Sequence, residues 1–126
     1  MSDKKHFLID TDILVDHLTQ SRDSKSMLEK AMAAGICFTT VINASELYLA
    51  AASDEEQLAI DKLLGSLKIL GIHYRYSLSV KKYSGKKGDL RDILIIVIAE
   101  NNKLQILTNK KEKYKFADIE LADNNL

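Results

Sequence analysis

The sequence predicts an α/β fold of three layers, with a central, mostly parallel sheet of four to five strands flanked by helices. Three observations lead to it. Short apolar or β-branched runs at residues 7–9, 36–40, 67–72, 105–108 and 119–121 alternate with stretches of helical periodicity along the 126 residues. Strands separated by helices pair in parallel, and the crossovers cover both faces of the sheet. The first run also stops at a carboxylate, Asp10, and passes straight into a helical pattern. An acid so placed reaches the C-terminal edge of its strand, where open parallel sheets gather their ligands.

After Asp10, residues 12–19 put Leu14, Val15 and Leu18 on one helical face, and residues 21–24 form a polar break. Ser26 with Glu29 reads as a capping box for a helix that Gly35 can end. The second strand leads into a helix over residues 41–52 with Glu46 near its start. Ser53 and Glu56 then cap another helix, which Gly65 can close. Residues 77–83 predict a short helix and residues 85–89, GKKGD, a loop. Residues 92–99 read two ways. Their Ile and Val content suits a buried strand, whereas Asp89 and Asp92 in front suit the N-terminus of a fully buried helix. With no internal repeat, residues 1–126 read as a single domain.

Composition narrows the function classes. A chain that is 46% hydrophobic and 29% charged is ordinary globular material. The longest apolar run, residues 93–99, is far below the roughly 18–20 residues that span a bilayer, so no membrane association is expected. The apolar run near the N-terminus is too short for a secretory leader and lacks a small-residue cleavage site, which together with a single cysteine, Cys37, predicts a cytoplasmic protein. The net charge of zero hides a segregation. Residues 73–115 hold eleven Lys and Arg against four Asp and Glu, a local +7 that can attract a polyanion.

Several acids are placed to meet at the C-terminal edge of the sheet. Asp10 ends the first strand, Glu46 lies in the first turns after the second, and Asp92 heads the long apolar helix with Asp89 one turn before it. Asp12 belongs to the first turn, and Thr108 and Asn109 end the fourth strand with further oxygen donors. Each acid singly is explained by helix capping. Together they need either raised pKa values or a cation between them. An oxygen-only set without Cys or His suits Mg²⁺ or Mn²⁺ rather than Zn²⁺, and such an ion serves phosphodiester hydrolysis. The lysines at 81, 82, 86 and 87 read as solvated surface or as a phosphate track beside the cleft.

The segments FLIDTDILVDHL, FTTVINASELYLAA and LRDILIIVIAENNKLQILTN occur in this order. The set resembles the PIN domain, specifically the small VapC-type ribonuclease toxins of type II toxin–antitoxin systems. The resemblance implies that Asp10, Glu46 and Asp92 hold Mg²⁺ or Mn²⁺ and carry catalysis, with Asp12, Asp89, Thr108 and Asn109 as a supporting shell. It also favours the helical reading of residues 92–99. It implies an RNA substrate, a small antitoxin that covers the cleft, a homodimer, and promoter DNA contacted only through the antitoxin. Lys110 departs from the pattern, because the family often has Asp or Asn two residues after the strand-ending Thr. That departure motivates a second expectation, a catalytically weak or inactive PIN-like binding module. A third reads Asp10 and Asp12 as the acid pair of a haloacid dehalogenase-like phosphatase, against which Ile13 and Leu14 replace the expected Gly-Thr.

Overall fold

Lys5–Ile9 forms strand β1, and its Phe7, Leu8 and Ile9 are all fully buried, as a strand covered on both faces requires. The computed structural model describes residues 4–20 and 23–126; Ser21 and Arg22 of the expected polar break lie outside the described residues. β1 pairs in parallel with β2 (Gly35–Thr40) on one side and β4 (Gln105–Leu107) on the other, and β3 (Lys68–Leu70) adds to the far side of β2. The order is thus β3-β2-β1-β4, with Leu8 opposite both Phe38 and Ile106.

Side chains alternate across this sheet. Phe7, Ile9 and Leu107 pack on one face with α1 (Thr11–Thr19), α2 (Met27–Ala34), α3 (Val41–Ala50) and α4 (Asp54–Leu64). Leu8 and Ile106 point to the other, against α5 (Tyr74–Val80) and α6 (Leu90–Asn102). Gly35 both caps α2 and opens β2, because a Cβ there would lie 2.2 Å from the Lys5 carbonyl oxygen.

The two-way reading of residues 92–99 resolves as helix. Asp89 caps α6 by accepting from the Asp92 N–H at 2.8 Å, and Ile95 to Ala99 are buried all round, a position in which an apolar helix needs no polar stripe. Lys103, at φ 56°, closes it in the left-handed conformation.

Three expectations shift. Among the described residues four strands form, and the expected fifth at residues 119–121 is reduced to one bridge between Leu121 and Ile106, because the chain only touches the β4 edge there. The helix expected at residues 77–83 starts at Tyr74, since the His73 ring caps it by accepting from the Arg75 N–H, and runs on into a 3-10 turn at Lys81–Tyr83. β3 is shorter than residues 67–72 because it pairs with β2 alone at the sheet edge. No helix among the described residues is long and apolar enough to cross a membrane.

Candidate active site

The C-terminal ends of the strands meet the N-termini of three helices. Asp10 is the N-cap of α1 and accepts from the Thr11 N–H at 2.8 Å, while its own N–H donates to Leu107 O at 3.0 Å. That ties the end of β1 to β4 and leaves the Asp10 side chain wholly buried. On β2 and α3, Thr40 and Asn43 form a capping box, and the buried Asn43 amide reaches Thr11 Oγ1 at 2.9 Å and Asp10 Oδ1 at 3.3 Å. Glu46 follows one turn later and accepts from Thr11 Oγ1 at 2.6 Å. The Asp89 cap sets Arg91 and Asp92 in the first turn of α6.

These elements converge on the guanidinium of Arg91. Its Nη2 donates to Asp10 Oδ1 at 2.7 Å and Glu46 Oε1 at 2.8 Å, with Thr11 Oγ1 at 3.3 Å. Nη1 donates to Asp92 Oδ1 at 2.9 Å and Tyr114 Oη at 2.8 Å, and Nε donates to Glu46 Oε2 at 3.2 Å. Tyr114, from a 3-10 turn at Lys111–Tyr114, donates in turn to Asp10 Oδ2 at 2.6 Å, and Lys113 Nζ lies 3.6 Å from the same oxygen. Asp10, Glu46 and Asp92, expected from the sequence to share a cation, are brought together around an organic one.

The electrostatics follow from this geometry. Burial alone would push the Asp10 carboxyl up, but the Arg91 charge, hydrogen bonds from Tyr114 and Arg91, and the Lys113 charge together hold it below the usual carboxylate range. Glu46 is likewise lowered: partial burial works against ionisation, and the hydrogen bonds from Arg91 and Thr11 overcome it. The Tyr114 phenol is raised strongly, by burial first and by Asp10 second. Three carboxylates against Arg91 and Lys113 leave about one unit of negative charge.

The expected supporting residues sort differently. Asp89 is a helix cap. Asp12 accepts from Thr108 Oγ1 at 3.0 and 3.1 Å and from the Asn109 N–H at 2.8 Å, so these three form their own group. Asn109 also donates to Asp16 at 3.2 Å, and Lys110 gives its backbone N–H to Thr108 Oγ1 at 3.0 Å. Glu46, Arg91 and Asp92 of the first group and Asp12 and Asn109 of the second line one open cleft of about 520 Å³, together with Lys110 and Lys113.

Sequence reasoning missed Arg91, Tyr114, Lys113 and Asn43. Arg91 falls within the basic segment of residues 73–115, and its place beside Asp92 does not by itself set it apart from the other cations there. Asn43 sits at the third position after Thr40, where a capping partner falls. Nothing local marks Tyr114, which meets Asp10 across 104 residues.

The donor chemistry of Asp10, Glu46 and Asp92, hard oxygens throughout, fits Mg²⁺ or Mn²⁺. The space between them does not fit an ion as arranged. Among the described residues, no three Asp, Glu, His or Cys side chains stand close enough together to hold one, because Arg91 lies between the carboxylates.

Tyr114→Phe should cost about 1–3 kcal/mol at pH 7, because the buried Asp10 Oδ2 loses its nearest donor. The folded state holds the phenol pKa above its unfolded value. Its contribution is therefore complete below about pH 10 and falls as pH rises beyond that. Urea unfolding at pH 7 and 11 should show the gap between wild type and variant narrowing at the higher pH.

Residues 7–119 match the PIN domain family. The chain belongs to the PIN domain family. PIN domains are generally nucleases, hydrolases acting on phosphodiester bonds. The PIN fold seen here is similar to a chain in a toxin–antitoxin complex from Klebsiella pneumoniae, with 21% identity, a TM-score of 0.76, and coverage of 94% of this chain and 97% of that one. It is similar to a chain of VapBC-1 from nontypeable Haemophilus influenzae, at 14% identity, TM-score 0.76, and coverage of 96% and 99%. It also matches a chain of VapBC2 from Rickettsia felis bound to a fragment of its promoter DNA, at 18% identity, TM-score 0.76, and coverage of 94% and 97%. No curated protein matches the sequence. PIN membership, with Asp12 turned to Thr108 and Asn109 instead of toward Asp10, replaces the phosphatase expectation.

Proposed function

We propose that this PIN domain is an endoribonuclease and the toxin of a toxin–antitoxin pair. The observation that carries the reading is the convergence of Asp10, Glu46 and Asp92, from the N-cap or first two turns of three separate helices, on one cation at the C-terminal edge of a parallel sheet. Mg²⁺ or Mn²⁺ is the proposed cofactor, held by those three carboxylates. When bound, the ion supplies Lewis acidity toward the phosphoryl oxygens.

The chain's own residues supply the rest. Glu46, the most exposed of the three acids at 39%, lines the cleft, where its carboxylate would help hold the ion beside the phosphodiester. Lys110 and Lys113 on the cleft wall offset the repulsion between the acids and a phosphodiester. Accessible single strands or loops are the natural RNA target. The fold shared with VapBC complexes supports a small antitoxin as partner, with the homodimer and the antitoxin-borne contact to promoter DNA as parts of the same proposal.

Cleavage of end-labelled single-stranded RNA by wild type with Mg²⁺ is expected, together with little cleavage of DNA. Glu46→Gln should lower the rate about 10²-fold or more. Equal cleavage by wild type and Glu46→Gln would remove Glu46 from the chemistry, and absence of RNA cleavage at any Mg²⁺ or Mn²⁺ concentration would favour a second reading. In that reading the domain is a binding module whose site is filled for good, and Arg91 is the observation that favours it.

A further inference from the structure

We propose that Arg91 and a divalent cation are alternative occupants of the Asp10–Glu46–Asp92 cluster, so that the chain keeps its own site closed until the arginine is drawn out. This rests on reading those carboxylates as ligands. A guanidinium has five N–H donors, and all five of Arg91 are engaged, on Glu46 twice, Asp92, Tyr114 and Asp10. None is left for a phosphate, so in this conformation Arg91 acts as a counter-ion and not as a substrate clamp.

The remainder of the site is prepared for an exchange. With Arg91 gone, Asp10 keeps the Thr11 N–H, the Asn43 amide and the Tyr114 hydroxyl, and Glu46 keeps the Thr11 hydroxyl. Asp10 and Glu46 are therefore positioned by partners other than the plug, whereas the Asp92 carboxylate is held by Arg91 itself. The Arg91 side chain is 21% exposed and lines the open cleft of about 520 Å³, which gives it room to swing without disturbing the buried face of α6. A doubly charged ion also neutralises three carboxylates better than one guanidinium does.

The exchange makes the apparent affinity for the ion lower than the intrinsic one by the fraction of molecules with Arg91 withdrawn. Calorimetric titration with Mn²⁺ tests it. Arg91→Gln should bind Mn²⁺ about tenfold or more tightly than wild type, and adding Asp92→Asn to that variant should weaken binding again. Equal affinity of wild type and Arg91→Gln would overturn the exchange while leaving the carboxylates as ligands. Binding by neither protein would overturn the ligand reading and the exchange with it.

Should Arg91→Gln not fold, wild type alone decides. The Arg91 side-chain N–H signals in ¹⁵N spectra, protected by the carboxylates, should shift and lose protection on titration with diamagnetic Mg²⁺. Mg²⁺ uptake by calorimetry with those signals unchanged would overturn the proposal.

Discussion

Asp10→Ala is expected to lower stability by about 3 kcal/mol at pH 7 and to abolish RNA cleavage, since it strips one partner from a buried ion pair. Asp10 is the fully buried member of the cluster, and its loss also leaves the Tyr114 hydroxyl without its acceptor, while the Asn43 amide keeps Thr11 Oγ1. Arg91 keeps Glu46 and Asp92, which holds the cost near the lower end for such pairs. The effect must depend on pH. The Asp10 pKa is depressed on folding, so its contribution is complete above the unfolded carboxylate value of about 3.9 and is lost as pH falls through the lower folded value. Urea unfolding of both proteins should give a large gap at pH 7 that shrinks below pH 4. A gap of the same size at both pH values would show that lost packing, not the ion pair, sets the cost.

Asp92→Asn should separate chemistry from stability. Cleavage should fall about 10²-fold or more, while stability changes by less than about 1 kcal/mol. The reason lies in the setting of Asp92, which lines the cleft, accepts one hydrogen bond from Arg91 and lies in the first turn of α6. Asn preserves an acceptor for Arg91 and loses only the charge. Kinetics on single-stranded RNA, run beside urea titrations, provide the check. Wild-type cleavage would take Asp92 out of the chemistry, and a loss of stability as deep as that of Asp10→Ala would make its role structural.

The fold was legible wherever local chemistry and burial agreed. The Ser26–Glu29 box, the Asp89 cap and the apolar run at residues 7–9 each predict an element that forms. Errors fell at the sheet edges and at α5. There, the length of β3 depends on its single neighbour, and a His side chain supplied a cap that capping preferences do not anticipate.

Sequence alone determined most of the elements, the parallel character of the sheet and which acids stand at the strand ends, because hydrophobic period and capping chemistry are local properties. Only the tertiary structure decided what stands between those acids. Arg91 is adjacent to Asp92 in the chain, yet its meaning depends on Asp10 and Glu46 arriving from 81 and 45 residues away. Tyr114 closes the cluster from 104 residues along the chain. Three carboxylates brought that close require a positive charge, and the fold supplies one from its own chain.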